Sequence, residues 1–130
     1  MTEILTIERV PREQTLQFWD WLQQIPHMGM VPTAVLARCL TGEYFMLKFL
    51  ADGKSKGLII YTHTTEAIIF VVGIYGPKEV LRFKDVFLDW CRAYGITNVH
   101  AWSVHDIDVM GNICGIFKSM KRKYYYEWEV

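Results

Sequence analysis

Cysteine, proline and surplus charge are what this chain of 130 residues has least of: three Cys, four Pro and a formal net charge of zero. Cys39, Cys91 and Cys114 stand far apart and form no C-x-x-C pair. A disulfide framework is thereby excluded and a reducing, cytoplasmic setting is expected. Fourteen Lys and Arg balance fourteen Asp and Glu, which speaks against a dedicated nucleic-acid binder, because phosphate contacts supply most of that affinity. No run approaches the roughly 20 apolar residues of a membrane-spanning helix. The longest, Ala67 to Ile74, has the length of a strand. The opening Met1-Thr2-Glu3-Ile4-Leu5 lacks the basic, apolar, small-residue order of a signal peptide. Repeats and low-complexity linkers are also missing, so residues 1–130 are expected to form one domain.

What remains is apolar and aromatic. Hydrophobic residues make up 52% of the chain and aromatics 15%, with 22% charged. That is a globular composition, rich for a small soluble monomer. Without net repulsion, self-association or docking on a protein partner is expected.

Ile4 to Arg9 alternates as a short strand ended by Pro11. From Arg12 to Ile25, Leu16, Trp19 and Leu22 recur at threes, with Phe18 and Ile25 beside them, predicting a helix face. Pro32 opens a second helix through Leu36, Cys39 and Leu40, with Gly42 placed to end it. Strands are predicted at Tyr44–Leu50 and Leu58–Thr62, joined through Asp52-Gly53 and an exposed tip carrying Lys54 and Lys56. Ala67–Ile74 reads as a central strand buried on both faces. Gly76-Pro77 then opens an amphipathic helix over Lys78–Tyr94, with Val80, Phe83, Phe87, Trp90, Cys91 and Tyr94 on one stripe. Gly95 is placed as its cap, Val99–Ser103 as a parallel strand, Asp106–Met120 as a last helix and Tyr124–Val130 as an aromatic strand.

The resulting order, β, α, α, β, β, β, α, β, α, β, is an α/β (α+β) mixed sheet: antiparallel at first, with a parallel βαβ crossover in its second half. It resembles the GNAT N-acetyltransferase fold over nearly the whole chain. Asn112 to Met120 followed by Tyr124 to Trp128 is similar to the asparagine, L-Y-E-K-L-G-F and tyrosine-rich strand of that family. The resemblance implies acetyl-CoA held in a gap between the central strand and the next parallel one. Backbone amides at Val72 and Ile74 would then meet the thioester, and Gly76 and Lys78 the diphosphate. The family's phosphate loop, Q/R-x-x-G-x-G/A, is eroded here to Ile74-Tyr75-Gly76-Pro77-Lys78-Glu79-Val80. Pro77 removes an amide donor and Glu79 brings a carboxylate near the phosphate position. The family's general-acid tyrosine aligns with Phe117, which has no proton to give; with a shifted alignment Tyr124 takes that place.

Other residues carry two readings each. His105-Asp106-Ile107-Asp108 has ligand-type residues, but a helix N-cap accounts for them and no metal is expected. Lys118, Lys121, Arg122 and Lys123 before Tyr124–Tyr126 suit either single-stranded nucleic acid or a helix end and turn; the structural role is favoured. Met28 and Met30, in a loop bounded by Pro26 and Pro32, either form an adaptable partner-binding surface or pack in a turn. Cys39 and Cys91 read as buried structural thiols.

The eroded loop and missing acid predict a GNAT-fold protein that binds or builds without catalysis or cofactor. It is similar in size and order to short internal virion proteins of tailed bacteriophages, which implies a virion or assembly role. The alternative is an acetyl-CoA-dependent N-acyltransferase with an atypical diphosphate loop, and a third reading is an acyl-CoA sensor without turnover.

Overall fold

A computed structural model describes residues 2–25, 30–102 and 125–130, of which 102 and 125–128 are described as backbone only. The expected helix at 106–120, with His105, Asp106, Asp108, Cys114, Phe117, the basic cluster at 118–123 and Tyr124, lies outside the described residues, as do His27 and Met28.

The described elements are β1 (Leu5–Arg9), a 3-10 helix (Arg12–Phe18), α1 (Trp19–Leu22), α2 (Pro32–Thr41), β2 (Phe45–Ala51), β3 (Lys54–Thr65) and β4 (Ile68–Tyr75). They continue with α3 (Pro77–Val80), a 3-10 turn (Leu81–Phe83), α4 (Lys84–Ala93), β5 (Asn98–Trp102) and β6 (Tyr125–Glu129). One six-stranded sheet runs β1-β2-β3-β4-β5-β6, in chain order. Every neighbouring pair is antiparallel except β4 and β5, which run parallel across the α3–α4 crossover.

Strand alternation divides the sheet's apolar residues between two layers. Leu47, Phe49, Ile59, Tyr61, Ile69, Val71, Val99 and Ala101 form one core with Phe83, Phe87 and Cys91 of the crossover. Met46, Leu58, Ile60 and Val72 form the other, beneath Leu22, Ile25, Val35 and Cys39.

Local chemistry explains the turns. Asp52 and Gly53 both take positive φ, 50° and 79°, making the two-residue hairpin joint that Asp-Gly favours. Gly42 ends α2 in the left-handed conformation, and Glu43 and Tyr44 donate their backbone N–H groups to the Arg38 carbonyl.

Three sequence expectations are corrected. Lys54 and Lys56 belong to β3 and not to a tip, because the tight Asp52-Gly53 turn lets the strand restart at once; a bulge absorbs Lys56. Leu16 is 60% exposed, while Thr15 is buried in its place. The apolar spacing of three matches the 3-10 period of this segment, but its buried face is rotated by one residue. Tyr94 is 65% exposed because α4 ends at Ala93, so it follows the stripe instead of extending it.

Candidate functional site

The parallel ladder between β4 and β5 runs from Ile68↔Asn98 to Val71↔Ala101 and stops there. β4 continues to Tyr75, still paired with β3 through Leu58↔Tyr75. Among the described residues, β4 has no partner on its β5 side beyond Val71. Strand geometry then leaves alternate N–H and C=O groups of Val72–Tyr75 without a ladder partner on that side among the described residues, the place where the sequence reading expects a gap between the two parallel strands.

A bulge marks the same place. Ile60 pairs with Gly73 and Tyr61 with Val71, so Val72 is the extra residue. One added residue reverses the alternation beyond it. Val72 belongs to the α1–α2 core, Ile74 packs against the α4 core, and Tyr75 returns to the α1–α2 side. There Trp21 stacks on Tyr75, ring centroids 4.4 Å apart and planes 8° from parallel. The Trp21–Tyr75 stack is a contact that sequence reading missed; only the bulge, invisible in a single sequence, turns Tyr75 toward Trp21.

At the end of β4, Gly76 has φ 67° and ψ 55°, a left-handed turn that starts the crossover. A Cβ there would stand 3.1 Å from the Lys56 carbonyl oxygen, so β3 closes the turn from one side. Pro77 gives no N–H, and the Val80 N–H donates to the Gly76 carbonyl at 2.9 Å. The Lys78 and Glu79 amides are left as first-turn donors, with the exposed Lys78 side chain beside them.

Glu79 proves less obstructive than its position in the sequence suggests. Arg82 donates to its carboxylate at 2.9 Å and to Glu3 at 2.7 Å. Glu3 precedes β1, at the opposite edge of the sheet from β5 and β6, so this chain of charges runs away from the gap. Hydrogen bonding to Glu3, then to Glu79, raises the Arg82 guanidinium above its ordinary value. The residues present therefore fit an extended, amide-bearing arm in the gap, and fit a diphosphate with fewer amides than a proline-free loop would offer.

Each expected site residue can now be placed. Val72 and Ile74 lie on β4, and Gly76 and Lys78 at the start of the crossover, all beyond the point where the β4–β5 ladder ends. Met30 is half-buried, its sulfur accepting from the Arg38 guanidinium and the Tyr44 hydroxyl at 3.5 Å each. It is thus engaged within the chain.

No protein-family model matches the sequence, and no curated protein is found as a relative. Solved structures do align along essentially all of it. An acetyltransferase of the GNAT family from Streptococcus pneumoniae matches with TM-score 0.64 and 10% identity, covering 98% of this chain and 100% of that one. The chain has a GNAT fold. A Bacillus subtilis acetyltransferase solved in complex with CoA matches with TM-score 0.63 and 13% identity over 98% and 99% of the two chains. The N-acetyltransferase PseH of Campylobacter jejuni matches with TM-score 0.62 and 8% identity over 97% and 96%. The mixed sheet and parallel crossover expected from the sequence are those of this GNAT fold.

The two described cysteines have the character of structural thiols. Both are buried. Burial pushes the Cys39 thiol up to about 11, and the Cys91 thiol up to about 12 against a small opposing pull from Arg92. Because the fold favours their protonated form, their contribution to stability is complete below the ordinary thiol value of 9.0 and is lost as pH rises through 11 to 12. Alkylation requires the thiolate. At pH 8 Cys39 is therefore expected to react with iodoacetamide about 100-fold more slowly in the native chain than in urea. Peptide mapping of the labelled sites checks this, and equal rates would contradict the burial.

Among the described residues no helix is long and apolar enough to cross a membrane. Nor do three His, Cys, Asp or Glu side chains among them converge as a metal site would require.

Proposed function

We propose that the chain is an acyl-CoA-dependent N-acyltransferase, with acetyl-CoA as the cosubstrate and an atypical diphosphate loop. The observation that supports this reading is the end of the β4–β5 ladder at Val71, which leaves strand hydrogen-bonding groups of Val72–Tyr75 without a ladder partner on that side among the described residues. Bound acyl-CoA supplies an activated thioester. Backbone groups of Val72 and Ile74 hold its amide-bearing arm and orient the carbonyl. Gly76, the Lys78 and Glu79 amides and the Lys78 ammonium receive the diphosphate, in keeping with anion binding at a helix start. Transfer forms the N–C bond to an amine acceptor and breaks C–S. The departing sulfur needs a proton, which Tyr124 is placed in the sequence to give.

Titration calorimetry with acetyl-CoA, followed by thiol release in the presence of polyamine and peptide acceptors, tests the proposal. Saturable binding with turnover is expected, with Tyr124→Phe lowering kcat while leaving KM unchanged. Binding without turnover on any acceptor would support the sensor reading. Absence of binding, with a large homomeric or heteromeric complex by light scattering, would restore the non-catalytic assembly reading. Likeness to structures described as acetyltransferases favours the catalytic reading over a virion role.

A further inference from the structure

The first strand lies at an open edge of the sheet. β1 pairs with β2 on one side, and among the described residues no strand pairs with its other side. Hydrogen bonds at its two ends fix which backbone groups are engaged. Asp52 donates its N–H to the Ile4 carbonyl at 2.9 Å, and the Val10 N–H donates to the Met46 carbonyl at 2.8 Å. Antiparallel pairing alternates, so Ile4, Thr6, Glu8 and Val10 turn their backbone groups to β2. Those of Leu5, Ile7 and Arg9 point out from the sheet. Proteins ordinarily blunt such an edge with a proline, a bulge or an inward-pointing charge. Leu5–Arg9 contains no proline, and its register against β2 is unbroken.

The odd-numbered side chains share the α4 face. Leu5 and Ile7 pack against the α4 core and are only half-buried, so each keeps an open flank. Arg9 lies over the Phe45 ring, 4.2 Å from its centroid, and Phe45 packs on that same core. Among the described residues no carboxylate forms an ion pair with Arg9. Glu3 reaches the crossover side as well, where its Oε2 accepts from Arg82 at 2.7 Å while the side chain stays 48% exposed.

This edge is complementary to itself. With a second β1 laid antiparallel about a two-fold axis through Thr6, outward-facing backbone groups meet outward-facing ones. Leu5 falls opposite Ile7 of the second copy and Glu3 opposite Arg9, each twice by symmetry. Both apolar positions and both opposite charges are then paired. On the other face Thr6 meets Thr6, a favourable cross-strand pair, and Ile4 lies opposite Glu8, which stays engaged with Lys48 of its own chain at 3.4 Å. Sliding one strand by two residues loses this match: one way sets Leu5 against Arg9, the other sets Glu3 against Ile7.

We propose that the β1 edge is a homodimer interface, in which a second copy of this chain adds its β1 in this register and joins the two sheets into one. Leu5 and Ile7 exchange backbone hydrogen bonds across the axis, and Arg9 gains the carboxylate it lacks within its own chain. Zero net charge leaves no long-range repulsion against the approach. β2 and β3 separate β1 from β4, so the interface stands or falls separately from the acyltransferase reading.

Analytical ultracentrifugation of the full chain, with two charge reversals, tests it. The unaltered chain is expected to sediment as a dimer. Arg9→Glu alone sets carboxylate against carboxylate at both ends of the interface, and Glu3→Arg alone sets guanidinium against guanidinium. Each is expected to weaken dimerisation at least about tenfold, like charges across an interface being strongly unfavourable. Mixed in equal amounts, the two variants are expected to form a heterodimer, because every carboxylate then faces a guanidinium. Loss of the Glu3–Arg82 contact within one chain cannot produce that recovery. By NMR, the Leu5 and Ile7 amide protons should exchange slowly in the dimer and fast in either variant alone, with Thr6 protected throughout. A monomeric unaltered chain, a dimer unmoved by both reversals, or a mixture that stays monomeric would overturn the proposal. Should a reversal unfold the chain, fast Leu5 and Ile7 exchange in the unaltered protein would overturn it equally.

Discussion

Phe83→Ala is expected to destabilise the chain by about 3–5 kcal/mol, the usual cost of emptying an aromatic core position. Phe83 is fully buried and meets Phe49 edge-on, ring centroids 5.2 Å apart. It closes the 3-10 turn between α3 and α4, so its side chain pins the crossover to the centre of β2. Partial collapse cannot fill the void, because Phe87 and Ile69 are themselves held by the sheet and the helix. For a domain whose whole stability is about 5–15 kcal/mol, this is a large part of the total. Urea denaturation checks it: the midpoint should fall with little change in slope. A loss under about 1 kcal/mol would mean that the crossover is not packed as described.

The second large effect is expected at Gly57, which carries no positive φ and is required for closeness alone. A Cβ at Gly57 would stand 2.8 Å from the Tyr75 carbonyl oxygen and 2.9 Å from Val80 Cγ2. Val80 can rotate; the Tyr75 carbonyl is backbone and can retreat only by moving the end of β4 and the Gly76 turn. Gly57→Ala should therefore cost about 1–3 kcal/mol of stability, in the range of other overpacked sites. It should also weaken acetyl-CoA binding about tenfold, equivalent to roughly 1.4 kcal/mol, because the displaced backbone is the proposed diphosphate turn. Adding Val80→Ala to Gly57→Ala relieves one contact and leaves the other. Stability should thus recover in part while affinity stays low. Full recovery of affinity in the double variant would show that the turn had never moved.

Much of this architecture was readable in the residues. Asp52-Gly53, Pro32, Gly42, Gly76-Pro77 and Gly95 each impose a backbone geometry locally, and each sits where its chemistry predicts. The unbroken apolar run of β4 announced a strand covered on both faces. Distant partners were harder to read. Lys56 looks like a hairpin lysine, yet its carbonyl closes the Gly76 turn across β3 and β4. Glu79 looks like an obstacle to phosphate until Glu3, 76 residues earlier, draws Arg82 and Glu79 to the other side. The bulge at Val72 leaves no sequence mark, because it is a property of two strands pairing and not of either alone. Thr15 escaped notice as a buried residue for a related reason: a 3-10 segment rotates its faces relative to an α-helix of the same sequence.

The strand order carries a consequence for how the molecule is made. Because β1 to β6 lie side by side in the order of synthesis, no later strand must be threaded between two earlier ones. The sheet can be assembled edge-on as the chain emerges, each strand adding to the last. β1 to β4 pair antiparallel with their chain neighbours, whereas β5 joins only after the whole crossover has folded back over the sheet. The parallel step is the one parallel closure of the sheet, and like the β1–β2 pairing, which spans the helices between them, it is non-local and so slower than the β2–β3 and β3–β4 hairpins. The proposed acyl-CoA site beside Val72 is not complete until that step has occurred, which makes its appearance a late event in folding. A ligand that spans β4 and β5 would accordingly act as a latch on the last part of the molecule to form.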